Sequence, residues 1–469
     1  MIGREKERQE LEDLYNSPKA EFVALYGRRR VGKTYLISQT FAGRITFEHT
    51  GLSEPAEGLK DQLKQFYFSL LRQGMKESRI PKDWLEAFFM LEVFLETKKT
   101  EERIVVFLDE LPWLDTPRSG FITALEGFWN NWGCKRDNLL LIVSGSATSW
   151  ILNKLINNHG GLYNRVTYEI KLEPFTLKEC REFLEFKLVK LSDYDITQAY
   201  MIIGGIPYYL EYFSKGLSLA QNIDNIFFSK TAKLKFEFER LFASTFNNPS
   251  PLMAIVRMLN NRSMGYTRKE IAKELKRTDN EQFSKDLMTL EASSFILKYV
   301  PFGVKKNEKY YKLIDPFCIF YLNFVENREM LSEEFWKENV ASHSIITWRG
   351  FAFENVCFNH IPQIKKALGI SGVTTSYSAW ANSDTQIDLL IRRKDNTINM
   401  CELKFYSSDF TVTKSYYEKL KEREVTLSDY IPRRMAIHTT LVTTFGLKYN
   451  NYSSVFSNTI TLKDLFSEL

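Results

Sequence analysis

"FVALYGRRRVGKTYLISQTF", residues 22–41, decides how this chain is read. Its first five residues form an apolar run suited to a buried strand, and "YLISQTF" continues as a helix, so a glycine loop joins a strand to a helix. The loop fits the spacing G-x-x-x-x-G-K-[ST]. Gly27, Arg28, Arg29, Arg30, Val31 and Gly32 would present backbone N–H groups to phosphate oxygens at the start of the helix. Lys33 would reach the β and γ phosphates, and Thr34 would hold Mg²⁺ through its hydroxyl. A plain glycine turn leaves Lys33 and Thr34 unexplained.

Working outward, "RIVVFLDE" at 103–110 is a buried parallel strand ending in two carboxylates, and such a strand delivers its C-terminal residues to the ligand crevice of an open α/β sheet. Asp109 is expected in the magnesium shell, and Glu110 is expected to orient or deprotonate the attacking water. A third strand, "LLLIVSGSA", ends in Ser144 and Ser146, which could sense the γ-phosphate or simply form a turn. Arg165, just before a further strand, could reach a phosphate of its own nucleotide or of a neighbouring subunit's, which leaves room for a homo-oligomer. An isolated arginine on the surface is the plain alternative.

The 469 residues exceed one core, and three or four domains are expected. With 44% hydrophobic and 26% charged residues, including 36 Phe and 23 Tyr, the chain has ample apolar surface to bury. No run is long and apolar enough for a bilayer and "MIGREKERQE" lacks a signal peptide's apolar segment, so no membrane partner and a cytoplasmic address are expected. Five scattered cysteines without C-x-x-C spacing read as buried thiols. A net charge of +5 permits contact with nucleic acid without requiring it.

The opening "IGREKE", the loop "GRRRVGKT", the "LDE" strand, the "YNR" arginine and "GGIPYYL" at 204–210 together resemble the archaeal-type ATPase family, an AAA+-related group close to the signal-transducing NTPases. The resemblance implies ATP as cofactor, and it places Gly3 and Arg4 beside the nucleotide. It also implies that Gly205 and Pro207 sense the nucleotide from a helical lid. From the residues alone, Gly205 and Pro207 read as a helix-breaking turn. The domains then expected are an ATPase core at 1–175 and a helical lid at 176–248.

Residues 249–325 read as a winged helix-turn-helix: helices at "PLMAIVRMLNNR", "TRKEIAKELK" and "NEQFSKDLMTLEASSF", then a ribbon. Thr267 and Glu270 form a capping-box pattern. The third helix carries Asp279, Glu281, Asp286 and Glu291 against Lys285, which suits a phosphate-lined groove poorly. The ribbon carries Lys298, Lys305, Lys306, Lys309 and Lys312, so a packing or relay module with a backbone contact from the wing is favoured over a sequence reader.

A further domain is expected at 341–469. "TQIDLLIRRKDNTINMCELKF" reads as a β-hairpin turning at "KDN". With Asp395 at its centre, Asp388 and Glu402 lie seven residues to either side and face each other across the strands. Side-chain alternation puts Glu402 and Lys404 on one face. Two acids can bind Mg²⁺ or Mn²⁺ through oxygen, one ammonium can steady a phosphate, and Glu354 in "GFAFENV" is a fourth member. The set resembles the PD-(D/E)xK nuclease fold, with "FEN", "QIDLL" and "CELKF" in order, although Ile387 stands where that pattern has proline. The fold expected overall is α/β: a P-loop NTPase with parallel sheet and helical lid, a winged helix-turn-helix, and a restriction-endonuclease-like domain acting on DNA. The rival is an ATP-dependent regulatory or binding protein whose C-terminal domain does not cut.

Overall fold

The computed structural model describes residues 2–53, 56–98, 102–157, 160–162, 164–302, 308–326, 332–381 and 386–468. The chain divides into two compact units, Met1–Pro174 with Leu241–Pro249, and Phe175–Arg240 with Ser250–Leu469. The segment expected as a lid is shared, most of it belonging to the second unit and its last residues to the first.

The first unit is built on β1 (Glu21–Tyr26), β2 (Ile45–Thr50), β3 (Ile104–Asp109), β4 (Leu139–Gly145) and β5 (Tyr168–Lys171). They form one parallel sheet in the order β2-β3-β4-β1-β5. Every residue of β1, β3 and β4 is buried, which is why these strands read as continuous apolar runs instead of alternating ones. Val143 of β4 pairs with Ala24 of β1 on one side and Leu108 of β3 on the other. The glycine loop, the serine strand and the acid strand therefore end side by side, at the edge where an open α/β sheet holds its ligand. Phe47, Trp84 and Phe121 make edge-to-face contacts in this core through Phe66 and Trp84, and Phe88 packs tilted against Phe66 and Phe121.

In the second unit, helices Pro249–Leu259, Arg268–Glu274 and Glu281–Ala292 accompany a small antiparallel sheet of β6 (Tyr266–Thr267), β7 (Ile296–Tyr299) and β8 (Tyr310–Leu313). The Thr267–Glu270 capping box is formed. Lys305 and Lys306 lie outside the described residues.

The C-terminal sheet contains β9 (Thr375–Ala381), β10 (Gln386–Arg393) and β11 (Thr397–Lys404) as an antiparallel meander. After the short β12 (Phe410–Thr411), the helix Lys414–Ser428 carries the chain to β13 (Ala436–Thr443), which pairs parallel with β11. β14 (Leu447–Lys448) pairs with β12, and β15 (Asn458–Ile460) extends the sheet beyond β13. A parallel pair needs a crossover, and here the crossover is the helix that reaches the acidic end of β11. Cys180, Cys318, Cys357 and Cys401 are buried as expected; Cys134 is exposed. Among the described residues no helix is long and apolar enough to cross a membrane.

Candidate functional site

Gly27 leaves β1 with φ +149°, and a Cβ there would stand 2.3 Å from the carbonyl oxygen of Leu172, so only glycine fits. Arg30 and Gly32 take positive φ as the loop curls, and Gly32 precedes the helix Lys33–Thr40. Lys33 is buried, and its amine donates to the carbonyls of Gly27 at 3.1 Å and Arg28 at 3.3 Å. Burial lowers its pKa; Glu110 and Asp109 oppose that shift and Arg29 adds to it. Thr34 donates from Oγ1 to Asp109 Oδ2 at 2.7 Å, which sets the two residues expected around magnesium against each other. Their oxygens suit a hard cation beside phosphates.

The serines after the core of β4 each hold one acid from the end of β3. Ser144 Oγ donates to Asp109 Oδ1. Ser146 donates to Glu110 Oε2 from its backbone N at 3.1 Å and from its hydroxyl at 2.8 Å. Ser144 thus steadies the carboxylate instead of standing free. Glu110 takes φ +50°, a conformation that non-glycine residues adopt at a cost and that recurs at functional sites.

Arg4, also at positive φ, follows Gly3 and donates to the carbonyl of Val31 at 3.2 Å, so the "IGRE" segment ties down the far side of the loop. Arg28 is buried; Arg29 donates to the Ser244 carbonyl at 2.6 Å and lies over Trp113 at 5.5 Å.

Arg165 is exposed and precedes β5, at the opposite end of the sheet from the loop, because Thr167 donates to the carbonyl of Phe22 at the start of β1. Five strand residues, roughly 16 Å, separate that level from Gly27. That separation fits the expected service to a neighbouring chain's nucleotide, or a plain surface arginine, better than the expected reach to the chain's own nucleotide. The "YNR" tyrosine, Tyr163, lies outside the described residues.

Gly204 and Gly205 end the helix Asp193–Ile203 at positive φ, and Pro207 opens the next short helix. A Cβ on Gly205 would meet the Phe175 carbonyl at 2.3 Å. Within the second unit this is the helix-breaking turn that the residues alone suggest.

The hairpin register pairs Leu389 with Cys401 and Leu390 with Met400. Continued by one step, it sets Asp388 opposite Glu402, as the symmetry about Asp395 predicts. Glu402 is fully buried. Arg423 Nη1 stands 2.5 Å from Oε1, and the Tyr416 hydroxyl donates to Oε2 at 2.5 Å. Lys404 Nζ lies 3.3 Å from Glu402 and 3.6 Å from Asp388, which also accepts from Leu403 N at 3.2 Å. Burial raises the pKa of Asp388, against the pull of Lys404. The two acids raise that of Lys404, although burial works the other way.

Glu354, from the helix His343–Asn359, faces Lys312 of β8 at 3.7 Å. Burial pushes its pKa up to about 7, opposed by Lys312 and Lys404 and assisted by Asp388. A raised carboxyl binds more protons folded than unfolded, so stability falls as pH rises from about 4.5 to about 7, by up to about 3 kcal/mol. Denaturant titrations of the metal-free protein across that range should show the fall, and Glu354→Gln should flatten most of it. Glu354, Asp388, Lys404 and Arg423 line one open cleft of about 740 Å³. Among the described residues no group of three or more His, Cys, Asp and Glu side chains is placed to hold a metal.

Sequence reasoning missed Arg423 and Tyr416. Tyr416, Leu420, Arg423 and Leu427 recur at helical spacing after the Thr413 cap, and Leu420 and Leu427 are fully buried. A tyrosine and an arginine in a buried stripe was the available signal. Of the acids expected on the third helix of the small module, Asp279 precedes the helix and pairs with Arg268, while Glu281, Asp286 and Glu291 lie on it and pair with Lys285, Arg277 and Lys298.

Residues 1–213 match the model of an ATPase domain found predominantly in Archaea. The front of the chain is thus similar to that ATPase domain. This supports ATP as the ligand of the loop and its hydrolysis as the domain's activity. An uncharacterized protein of Methanocaldococcus jannaschii, MJECL04, is 25% identical over 439 residues, 92% of this chain and 93% of that one. The Walker-type ATPase PABY2304 of Pyrococcus abyssi aligns with a TM-score of 0.50 at 18% identity, over 69% of this chain and 96% of its own, and so shares the fold.

Proposed function

We propose that this chain is an ATP-hydrolysing switch coupled to a metal-dependent DNA nuclease, or to a domain derived from one. The observation that carries the nuclease half is the cleft that brings Glu354, Asp388 and Lys404 together above the buried Glu402. Mg²⁺, or Mn²⁺, held by Asp388 and Glu402, would act as Lewis acid on a phosphodiester. Lys404 steadies the phosphate or its attacking water, and Glu354, with its pKa near neutrality, is suited to move a proton. In the front domain Thr34 and Asp109 are the residues for the magnesium of ATP, with Glu110 orienting water and Lys33 meeting the phosphates.

The module around β6, β7 and β8 serves as a winged helix that packs and relays and does not read sequence. Its third helix spends its acids on internal pairs, and Lys312 of its ribbon reaches Glu354. The exposed Arg165 is available to a neighbouring chain in a homo-oligomer in which each chain completes its neighbour's ATP site. Mixing Arg165→Ala with Lys33→Ala protein should then restore hydrolysis that neither shows alone, since an arginine finger is worth about 10³ to 10⁵ in rate. A rate independent of protein concentration, with no rescue on mixing, makes Arg165 a surface residue.

A second reading, a binding or regulatory protein that does not cut, is favoured by one observation: both oxygens of Glu402 already accept from Arg423 and Tyr416. Incubating the purified chain with supercoiled plasmid and Mg²⁺ or Mn²⁺ separates the two. Nicking that Asp388→Asn and Lys404→Ala abolish supports the nuclease; intact plasmid in every lane supports binding.

A further inference from the structure

The cleft that holds Asp388 and Lys404 has a second cation the catalytic reading does not use. Arg349, on the helix His343–Asn359, lines it, and its Nε and Nη2 are buried with no hydrogen-bond partner among the described residues. A buried guanidinium nitrogen left without an acceptor is costly, and a planar fork suits a phosphate. Burial lowers its pKa while Tyr194 and Asp195 oppose that shift.

Two aromatic rings lining the same cleft are about half exposed: Phe351, two residues along the helix from Arg349, and Tyr406, two residues after Lys404. The backbone of Tyr406 is fixed by Thr444, which both accepts from its N–H and donates to its carbonyl. Exposed aromatic faces beside cations are the arrangement that stacks unpaired bases while holding the backbone. A duplex offers them little, since its bases are already stacked on one another.

Resting on the nucleic-acid reading of this cleft, we propose that its ligand is an unpaired polynucleotide strand, with Arg349 clamping a phosphate and Phe351 and Tyr406 stacking bases. Binding of labelled oligothymidylate, oligouridylate and a duplex of equal length to the full chain, followed by fluorescence anisotropy in EDTA, tests it. A single strand should bind about tenfold or more tighter than the duplex, and the choice between thymidylate and uridylate tells DNA from RNA. Phe351→Ala and Tyr406→Ala should each weaken single-strand binding about fivefold or more while leaving the duplex unchanged. Arg349→Gln should reduce the salt dependence by about one phosphate contact, a slope change of about 0.7, and Arg349→Lys should retain it. Equal affinity for single strand and duplex, no affinity for either, or single-strand binding untouched by all these substitutions overturns the proposal. The readout needs neither metal nor scission, so a plasmid and an oligothymidylate both left uncut with Mg²⁺ or Mn²⁺ remove the nuclease and leave this inference standing, whereas nicking without single-strand preference removes this inference alone.

Discussion

Lys33→Ala should abolish ATP hydrolysis and most nucleotide binding, a loss of at least about 100-fold in rate. The ammonium is buried inside the loop it serves, 3.1 Å and 3.3 Å from two carbonyls of that loop. Burial and Arg29 disfavour its charge, Glu110 and Asp109 favour it, and a triphosphate in the loop would add the anionic partner that burial calls for. Alanine removes the charge and leaves those carbonyls facing a cavity. Glu110→Gln separates binding from chemistry. The amide keeps one oxygen for Ser146, whose two donors converge on a single carboxylate oxygen, but it cannot take a proton from water. Nucleotide binding should persist while hydrolysis falls. Phosphate release and a fluorescent-nucleotide titration measure the two, and equal hydrolysis by wild type and Lys33→Ala would overturn the assignment of the loop.

What the sequence disclosed follows what local pattern can encode. Strand, glycine loop, helix and acid strand were legible because β1, β3 and β4 are buried on both faces and leave continuous apolar runs. The hairpin register was legible because the pairing is symmetric about Asp395. The insertion of β4 between β1 and β3 was not, since strand order is a long-range choice; without it Ser144 read as a γ-phosphate sensor or a turn residue instead of a support for Asp109. Arg165 was ambiguous for the same reason: only pairing with β1 shows at which end of the sheet it stands. Arg423 was hidden by distance, twenty-one residues from the glutamate it neutralises and on a different element.

That arginine yields the second large effect. Arg423→Met should destabilise the protein by about 3 kcal/mol or more, because it leaves the fully buried Glu402 without a cation on Oε1. Lys404 cannot replace it, being 3.3 Å from the other oxygen and shared with Asp388. The same substitution frees one carboxylate oxygen of Glu402, Oε1. If these two residues form a metal site, Mn²⁺ or Mg²⁺ should raise the melting temperature of Arg423→Met by more than that of the wild type, since binding to the folded state alone stabilises by mass action. Asp388→Asn added to Arg423→Met should remove the increment, because it takes away the second anionic ligand. Calorimetric scans with and without the ion read all three proteins. A destabilised Arg423→Met that no divalent ion rescues would make Asp388, Glu402, Lys404 and Arg423 a closed network of buried ion pairs. Glu402 would then sit at the end of β11 to anchor the crossover helix through Tyr416 and Arg423, and the cleft above it would bind without cutting.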